Sequence, residues 1–259
     1  MKIAFLDSGI GGLSVVYDAR KALPEADILF YADCDNAPYG EKTVEEVREL
    51  TFRSARFLLE KGAEAIVIAC NTATSAACKA LREALPVPVI GMEPAVKKAL
   101  ELCPDKRVLV VATPVTIRGE KLRTLIEKVD SRHLADGHAL PGLVRFAEQE
   151  IFDRETVTDY LRQELSGYPL SEYSSLVLGC THFNYFKDSF RALLPPSVRI
   201  LDGNEGTVRQ LIRRLRECPQ KTAGSGRTEV FFSGRPASEE ELRRIGRLTD
   251  RLRRMEEIF

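Results

Sequence analysis

Cys70 and Cys180 each close an apolar run and are followed at once by hydrogen-bonding side chains, in "AIVIACNTATSAA" and "SLVLGCTHFNYF". A thiol so placed suits chemistry better than packing, because a helix N-terminus or a nearby cation pulls its pKa from about 8.5 towards neutrality. "CNTATSAACKAL" reads as a strand running directly into such a helix. One cysteine of this kind suggests a nucleophile, whereas two in matching settings suggest an acid/base pair. Inverting a carbon centre needs a pair, since one group removes a proton from one face while another of matched pKa delivers a proton to the opposite face. The α-hydrogen of an amino acid is very weakly acidic, so placement, desolvation and electrostatic stabilisation must supply most of the rate.

Other chemistries can be weighed against spacing. A tyrosine-phosphatase loop needs Arg six positions after Cys70, and that position is Ala76. A Cys–His hydrolase could pair Cys180 with His182 but would leave Cys70 idle. Asp7, Cys70, Cys180 and His182 are acceptable zinc ligands by type, yet share no ligand spacing. The turn "DSGIGGLS" invites a dinucleotide reading, helped by Asp33 at the end of the next strand. Against it, Ser14 stands where the third glycine of the fingerprint would fall, and Asp7 would repel a pyrophosphate. The same turn can offer backbone N–H groups to a carboxylate. In "NAPYGEKT" a proline turn either presents the N–H groups of Tyr39 and Gly40 to an anion or is a plain surface turn. His133 and His138 lie in a polar stretch and read as surface residues.

Positioning these groups falls to short apolar runs that alternate with helical patterns, the mark of a parallel α/β fold. The candidate strands are "KIAFLD", "DILFYAD", "AIVIAC", "VPVIGM", "RVLVVAT", "SLVLGC", "RILD" and "TEVFFSG". Ligands of open α/β sheets sit beyond the carboxyl ends of the strands. That rule puts Asp7, Ser8, Cys70, Asn71, Thr72, Thr113, Cys180, Thr181 and His182 on binding edges. After Thr43, "TVEE" predicts a capping box, and Val44, Val47 and Leu50 begin an apolar stripe that ends at Gly62. Leu242, Ile245, Leu248, Leu252 and Met255 predict an amphipathic terminal helix. Its arginines, in "RRIGRLTDRLRR", are interspersed with acidic residues and lack aromatic partners, so they read as a solvated face, not a nucleic-acid surface.

A weak internal repeat supplies the domain organisation. "IAFLDSGIGG" pairs with "VLVVATPVTIRG" and the two cysteine segments pair with each other, at offsets of 106 and 110 residues. Two similar α/β domains with mainly parallel sheets and a cleft between them follow. The expected division is 1–95 with 210–259, the late strand and helix completing the first sheet, and 96–209. The densest breaker stretch, "CPQKTAGSGRT", falls late.

The 259 residues, 44% of them hydrophobic, suffice for cores of that size. Lys plus Arg and Asp plus Glu both number 38, so no net field draws the molecule to nucleic acid or an anionic membrane, and a small partner is expected. No apolar run approaches a membrane span and the N-terminus is no signal peptide, which predicts a cytoplasmic protein. The six cysteines, Cys34, Cys70, Cys78, Cys103, Cys180 and Cys218, show no C-x-x-C pairing and are expected to be reduced.

Six segments together carry a resemblance: "DSGIGGLSV" (7–15), "PYGEKT" (38–43), "CNTATS" (70–75), "PAVKKA" (94–99), "ATPVTIRG" (112–119) and "GCTHF" (179–183). In this order they resemble bacterial glutamate racemases, within the wider aspartate/glutamate racemase superfamily. The resemblance implies an isomerase that interconverts L- and D-glutamate between two α/β domains, with no metal, nucleotide or pyridoxal cofactor. Aspartate is the alternative substrate. D-glutamate would feed peptidoglycan synthesis, and a homodimer is implied. Cys70 and Cys180 would be the two bases, Asp7 assisting the first and His182 the second, with Glu148 supporting the second thiol. Ser8, Pro38, Tyr39, Gly40, Asn71, Thr72, Thr113, Thr116 and Thr181 would hold the substrate or line its cleft. Asn184 and Tyr185 stand where many relatives have Pro and Leu, and Gly203 where Ser is usual. Relatives controlled by a cell-wall precursor tend to carry an N-terminal extension, so the resemblance predicts no such activation of a chain that begins at its first strand.

Overall fold

The computed structural model describes residues 1–93, 95–217 and 224–258. Cys218, Pro94 of "PAVKKA" and most of the late breaker stretch therefore lie outside the described residues. The chain opens with β1 (Lys2–Asp7), α1 (Leu13–Ala22), β2 (Asp27–Ala32), α2 (Val44–Glu60), β3 (Ala65–Ile68), α3 (Asn71–Ala84), β4 (Val89–Gly91) and α4 (Val96–Leu102). It continues through β5 (Arg107–Ala112), α5 (Pro114–Arg118), α6 (Glu120–Val129), β6 (Ala135–Ala139), α7 (Pro141–Glu148) and α8 (Arg154–Glu164). After these come β7 (Tyr173–Leu178), α9 (Lys187–Leu193), β8 (Arg199–Asp202) and α10 (Asn204–Arg216). β9 (Thr228–Phe232), β10 (Arg235–Pro236) and α11 (Glu239–Glu256) finish it.

Two α/β domains result. Their sheets run β10-β9-β2-β1-β3-β4 and β6-β5-β7-β8. Every pairing is parallel except β9 with β10. The internal repeat reappears as one strand order used twice, because β2-β1-β3-β4 maps onto β6-β5-β7-β8. The central strands β1, β3 and β7 are buried along nearly their whole length, which is why they read as unbroken apolar runs. The helix that closes each set of four strands leaves its own sheet. Val96, Ala99 and Leu100 of α4 pack with Val108, Val110 and Val177 of the second sheet, while Val208 and Leu211 of α10 join the core of Leu13, Val16 and Ile90 in the first domain.

All eight expected strands form, and among the described residues two more do. β6 ("ADGHA") is a half-exposed edge strand with a central glycine, so it lacks the apolar run that marks the others, and pairing with β5 creates it. β10 is the short return of a hairpin that turns at Ser233 and Gly234, both at positive φ. The capping box at Thr43 and Glu46 is present. Two apolar-stripe residues depart from expectation, since Val44 (44% exposed) and Leu242 (49%) lie in the first helical turn, ahead of the packed faces. His133 is exposed as expected. His138 is not a bare surface residue, because its ring nitrogens lie 3.1 Å from Glu164 Oε2 and 3.2 Å from the Tyr168 hydroxyl. Among the described residues no helix is long and apolar enough to cross a membrane.

Candidate active site

Cys70 caps α3 at the end of β3, and Cys180 occupies the matching place after β7, both buried. The seam between the two domains runs through them. Ala73 N–H, in the first turn of α3, points at Cys70 Sγ from 3.4 Å, and the thiol reaches Ser8 Oγ at 3.6 Å. A lowered thiol pKa was expected from that helix start. Burial and the neighbouring Asp7 carboxylate win instead and push the Cys70 thiol well up, against the smaller pull of Ala73 N–H.

Asp7 ends β1 in complete burial. Its Oδ1 accepts from Ser8 N–H at 2.7 Å and Ser8 Oγ at 3.2 Å, and its Oδ2 from Gly12 N–H and, across the seam, from Thr181 Oγ1 at 3.3 Å. Desolvation raises its pKa from 3.8 to about 6, despite the opposing influence of His182, Ser8 N–H and Cys70. The glycine-rich turn thus does offer N–H groups to carboxylates, but to the protein's own. Gly12 serves Asp7, and Ile10 N–H serves Glu148 Oε1 at 2.9 Å. A Cβ on Gly11 would stand 2.3 Å from His182 Nδ1, and one on Gly9 1.8 Å from Glu148 Oε1. These glycines let a backbone approach side chains of the second domain, which fills the space a pyrophosphate would need. Asp33 is also engaged, accepting from the Tyr39 hydroxyl at 2.6 Å and from Asn36 Nδ2 at 3.0 Å.

On the other side His182 bridges two groups. Its Nδ1 lies 3.8 Å from Cys180 Sγ and its Nε2 2.8 Å from Glu148 Oε1. Burial pulls the imidazole pKa down, but hydrogen bonds and charge from Cys180 and Glu148 outweigh it and hold His182 well above its ordinary value. Burial likewise raises Glu148, and His182, Ile10 N–H and Arg244 more than reverse the rise. An imidazolium donating to a carboxylate on one side and facing a sulfur on the other follows.

The remaining expected residues line the same seam. Thr72 Oγ1 of α3 meets Thr113 Oγ1 at 2.9 Å and Thr116 Oγ1 at 3.4 Å, a hydroxyl cluster shared by both domains. Thr113 also caps α5. Pro38, joined to Ala37 by a cis bond, leads into the buried turn of Tyr39 and Gly40. Asn71 and Thr116 line a cavity of about 30 Å³ with Ser75, Gly179 and Gly203, and neither thiol borders it. Arg244 and Tyr185 have contacts at the site that the sequence reading missed. Tyr185 donates its hydroxyl to Ile10 carbonyl at 2.9 Å. Arg244 shares a face of α11 with Leu248, Arg251 and Met255, a spacing that distinguishes it from its solvated neighbours.

With both thiols on one seam, at equivalent strand ends, comparison with known proteins becomes decisive. The Asp/Glu/Hydantoin racemase family matches residues 14–211, a span that includes both cysteines. The chain belongs to this family. It is 52% identical over 265 aligned positions to a glutamate racemase of Lachnospira eligens, covering all of both chains. Among solved structures it matches Escherichia coli glutamate racemase in complex with L-glutamate and the activator UDP-MurNAc-Ala, at a TM-score of 0.85 and 26% identity over 97% of this chain and 94% of that one. A glutamate racemase isoform of Bacillus anthracis matches at a TM-score of 0.79 and 31% identity, over 89% and 86% of the two chains. A family named for racemases agrees with the two-sided pair, and a Cys–His hydrolase would leave Cys70 unused.

Proposed function

We propose that this racemase-family protein interconverts L- and D-glutamate by proton transfer through Cys70 and Cys180, supplying D-glutamate for peptidoglycan. The observation that carries this reading is the pair of buried thiols at corresponding ends of β3 and β7. The full-length glutamate racemase relative supports the substrate.

In this mechanism the α-carbon sits between the sulfurs. One thiolate removes the α-proton while the opposite thiol delivers another to the far face, and reversing the roles returns the first enantiomer. Asp7, whose carboxyl pKa burial pushes up to about 6, stands beside Cys70 and assists its proton transfer. His182, held by Glu148, stabilises negative charge on Cys180. Substrate oxygens and nitrogen are held by Ser8, Asn71, Thr72, Thr181 and the Pro38–Gly40 turn, with Thr113 and Thr116 closing the cleft. A division into 1–95 with 210–259 and 96–209 is supported by β1–β4, β9 and β10 forming one sheet and β5–β8 the other, with α10 crossing from the second unit to the first. We assign the protein to the cytoplasm as a homodimer on the family resemblance.

The test follows α-deuterium uptake and circular dichroism in deuterated water, with glutamate and aspartate side by side. Both glutamate enantiomers should acquire deuterium, and Cys70→Ser or Cys180→Ser should lower racemisation by about 10³-fold or more. Full activity in either variant overturns the two-thiol mechanism, and faster turnover of aspartate overturns the substrate.

A further inference from the structure

Behind the His182–Glu148 pair stands a cation that the mechanism above does not use. Arg244 reaches back from α11, and one of its Nη atoms donates to Glu148 carbonyl at 2.6 Å and lies 3.3 Å from Glu148 Oε2. Its Nε is 3.4 Å from Glu150 Oε1. The Arg244 side chain is 19% exposed, against 54% for Arg247 one turn later, which pairs with Glu150 and Glu240.

Resting on the two-thiol reading, we propose that Arg244 is a positioning residue for the reaction, fixing the Glu148 carboxylate and, through it, the ring and proton of His182 beside Cys180. Glu148 Oε1 is saturated by Ile10 N–H and His182 Nε2. Among the described residues, Oε2 has Arg244 and the Cys34 thiol, 3.9 Å away. Holding the carbonyl and the carboxylate of one residue together, the guanidinium fixes both ends of the Glu148 side chain. Without it, Oε2 would face a weak thiol donor in a largely buried site, and the carboxylate would be free to turn from His182 or to take a proton.

Arg244 is not what holds the helix down. Leu248, Leu252 and Met255 are buried beneath α11, and Arg251 donates to Tyr185 carbonyl at 3.0 Å and to both Asp188 oxygens at 2.6 and 2.7 Å. The charged and titratable groups facing Glu148 are His182 and Asp7 from the seam, Cys34 after β2, Tyr185 before α9, and Arg244 from α11. Arg244 is the guanidinium among them. Its removal raises the Glu148 pKa and so moves the acid limb of the rate profile to higher pH in the direction in which Cys180 is the base, whereas Asp7 sets that limb when Cys70 is.

The experiment measures kcat, KM and the pH profile of kcat/KM in both directions for Arg244→Gln, Arg244→Lys and Arg247→Gln in the full chain, together with thermal midpoints. Arg244→Gln should lower kcat by about 10- to 100-fold with KM within about twofold, and its acid limb should shift upward in the direction in which Cys180 is the base. Arg244→Lys should recover part of the rate, and Arg247→Gln should behave as wild type. An acid limb unmoved in both directions in folded Arg244→Gln overturns the proposal, as does an equal loss in Arg247→Gln. Failure of the two-thiol reading is separate: it appears as full activity in Cys180→Ser, whereas an unchanged Arg244→Gln alongside an inactive Cys180→Ser removes only the role of Arg244.

Discussion

Asp7 shows how a single side chain trades stability for reactivity. Its pKa is raised from 3.8 to about 6, so between those values the native state binds more protons than the unfolded chain. Stability drawn from Asp7 is therefore full below pH 3.8 and is lost as pH rises through about 6, a change of about 3 kcal/mol. The stability margin of wild type over Asp7→Asn, from urea unfolding, should accordingly be larger at pH 4 than at pH 7. A margin that grows with pH would contradict this assignment. Both thiols, Asp7 and His182 were legible as residues because each follows an apolar run that could only be a strand. Glu148 was reached only through resemblance, since nothing around "FAEQE" marks a glutamate aimed at a histidine 34 positions away. The pKa of Cys70 was misread because sequence displays the helix start but not the burial that outweighs it.

Elements were legible where burial is two-sided. β1, β3, β5 and β7 each carry an apolar run because they are buried on both faces, whereas β6 is held at an edge by backbone pairing that leaves no mark on its side chains. The terminal helix illustrates the limit of periodicity. Leu242 and Leu248 look equivalent in the stripe, yet Leu242 is 49% exposed and Leu248 fully buried. Leu248→Ala should cost about 2–4 kcal/mol in urea unfolding and Leu242→Ala less than about 0.5. Similar costs at the two positions would mean that α11 does not dock as described. Arg244 and Arg251 were hidden by the same limit, because charged residues at buried spacing resemble their solvated neighbours until a partner from elsewhere in the chain is seen.

At the scale of the molecule, the glycine-rich turn of the first domain is clasped from the second at both faces of one residue. Ile10 N–H goes to Glu148 and Ile10 carbonyl accepts from Tyr185. Tyr185→Phe would remove that side-chain donor and leave the carbonyl to Leu13 N–H of its own turn, at a cost of about 0.5–1.5 kcal/mol. Hydrogen exchange at residues 9–12 should quicken selectively in this variant, and unchanged protection there would show that the clasp does not hold the domains together.

The reciprocal exchange of α4 and α10 says something about descent. Two copies of a β1–α4-like unit, each lending its last helix to the other, would form a swapped dimer with one thiol per subunit on either side of its twofold axis. Fused end to end, such a dimer has the plan of this chain. A symmetric ancestor would already have met the demand for a group on each face of a carbon. What symmetry could not supply is a difference between the two sulfurs, and β9, β10 and α11, which have no counterpart in the second set of strands, are the segment that brings Arg244 to one of them alone.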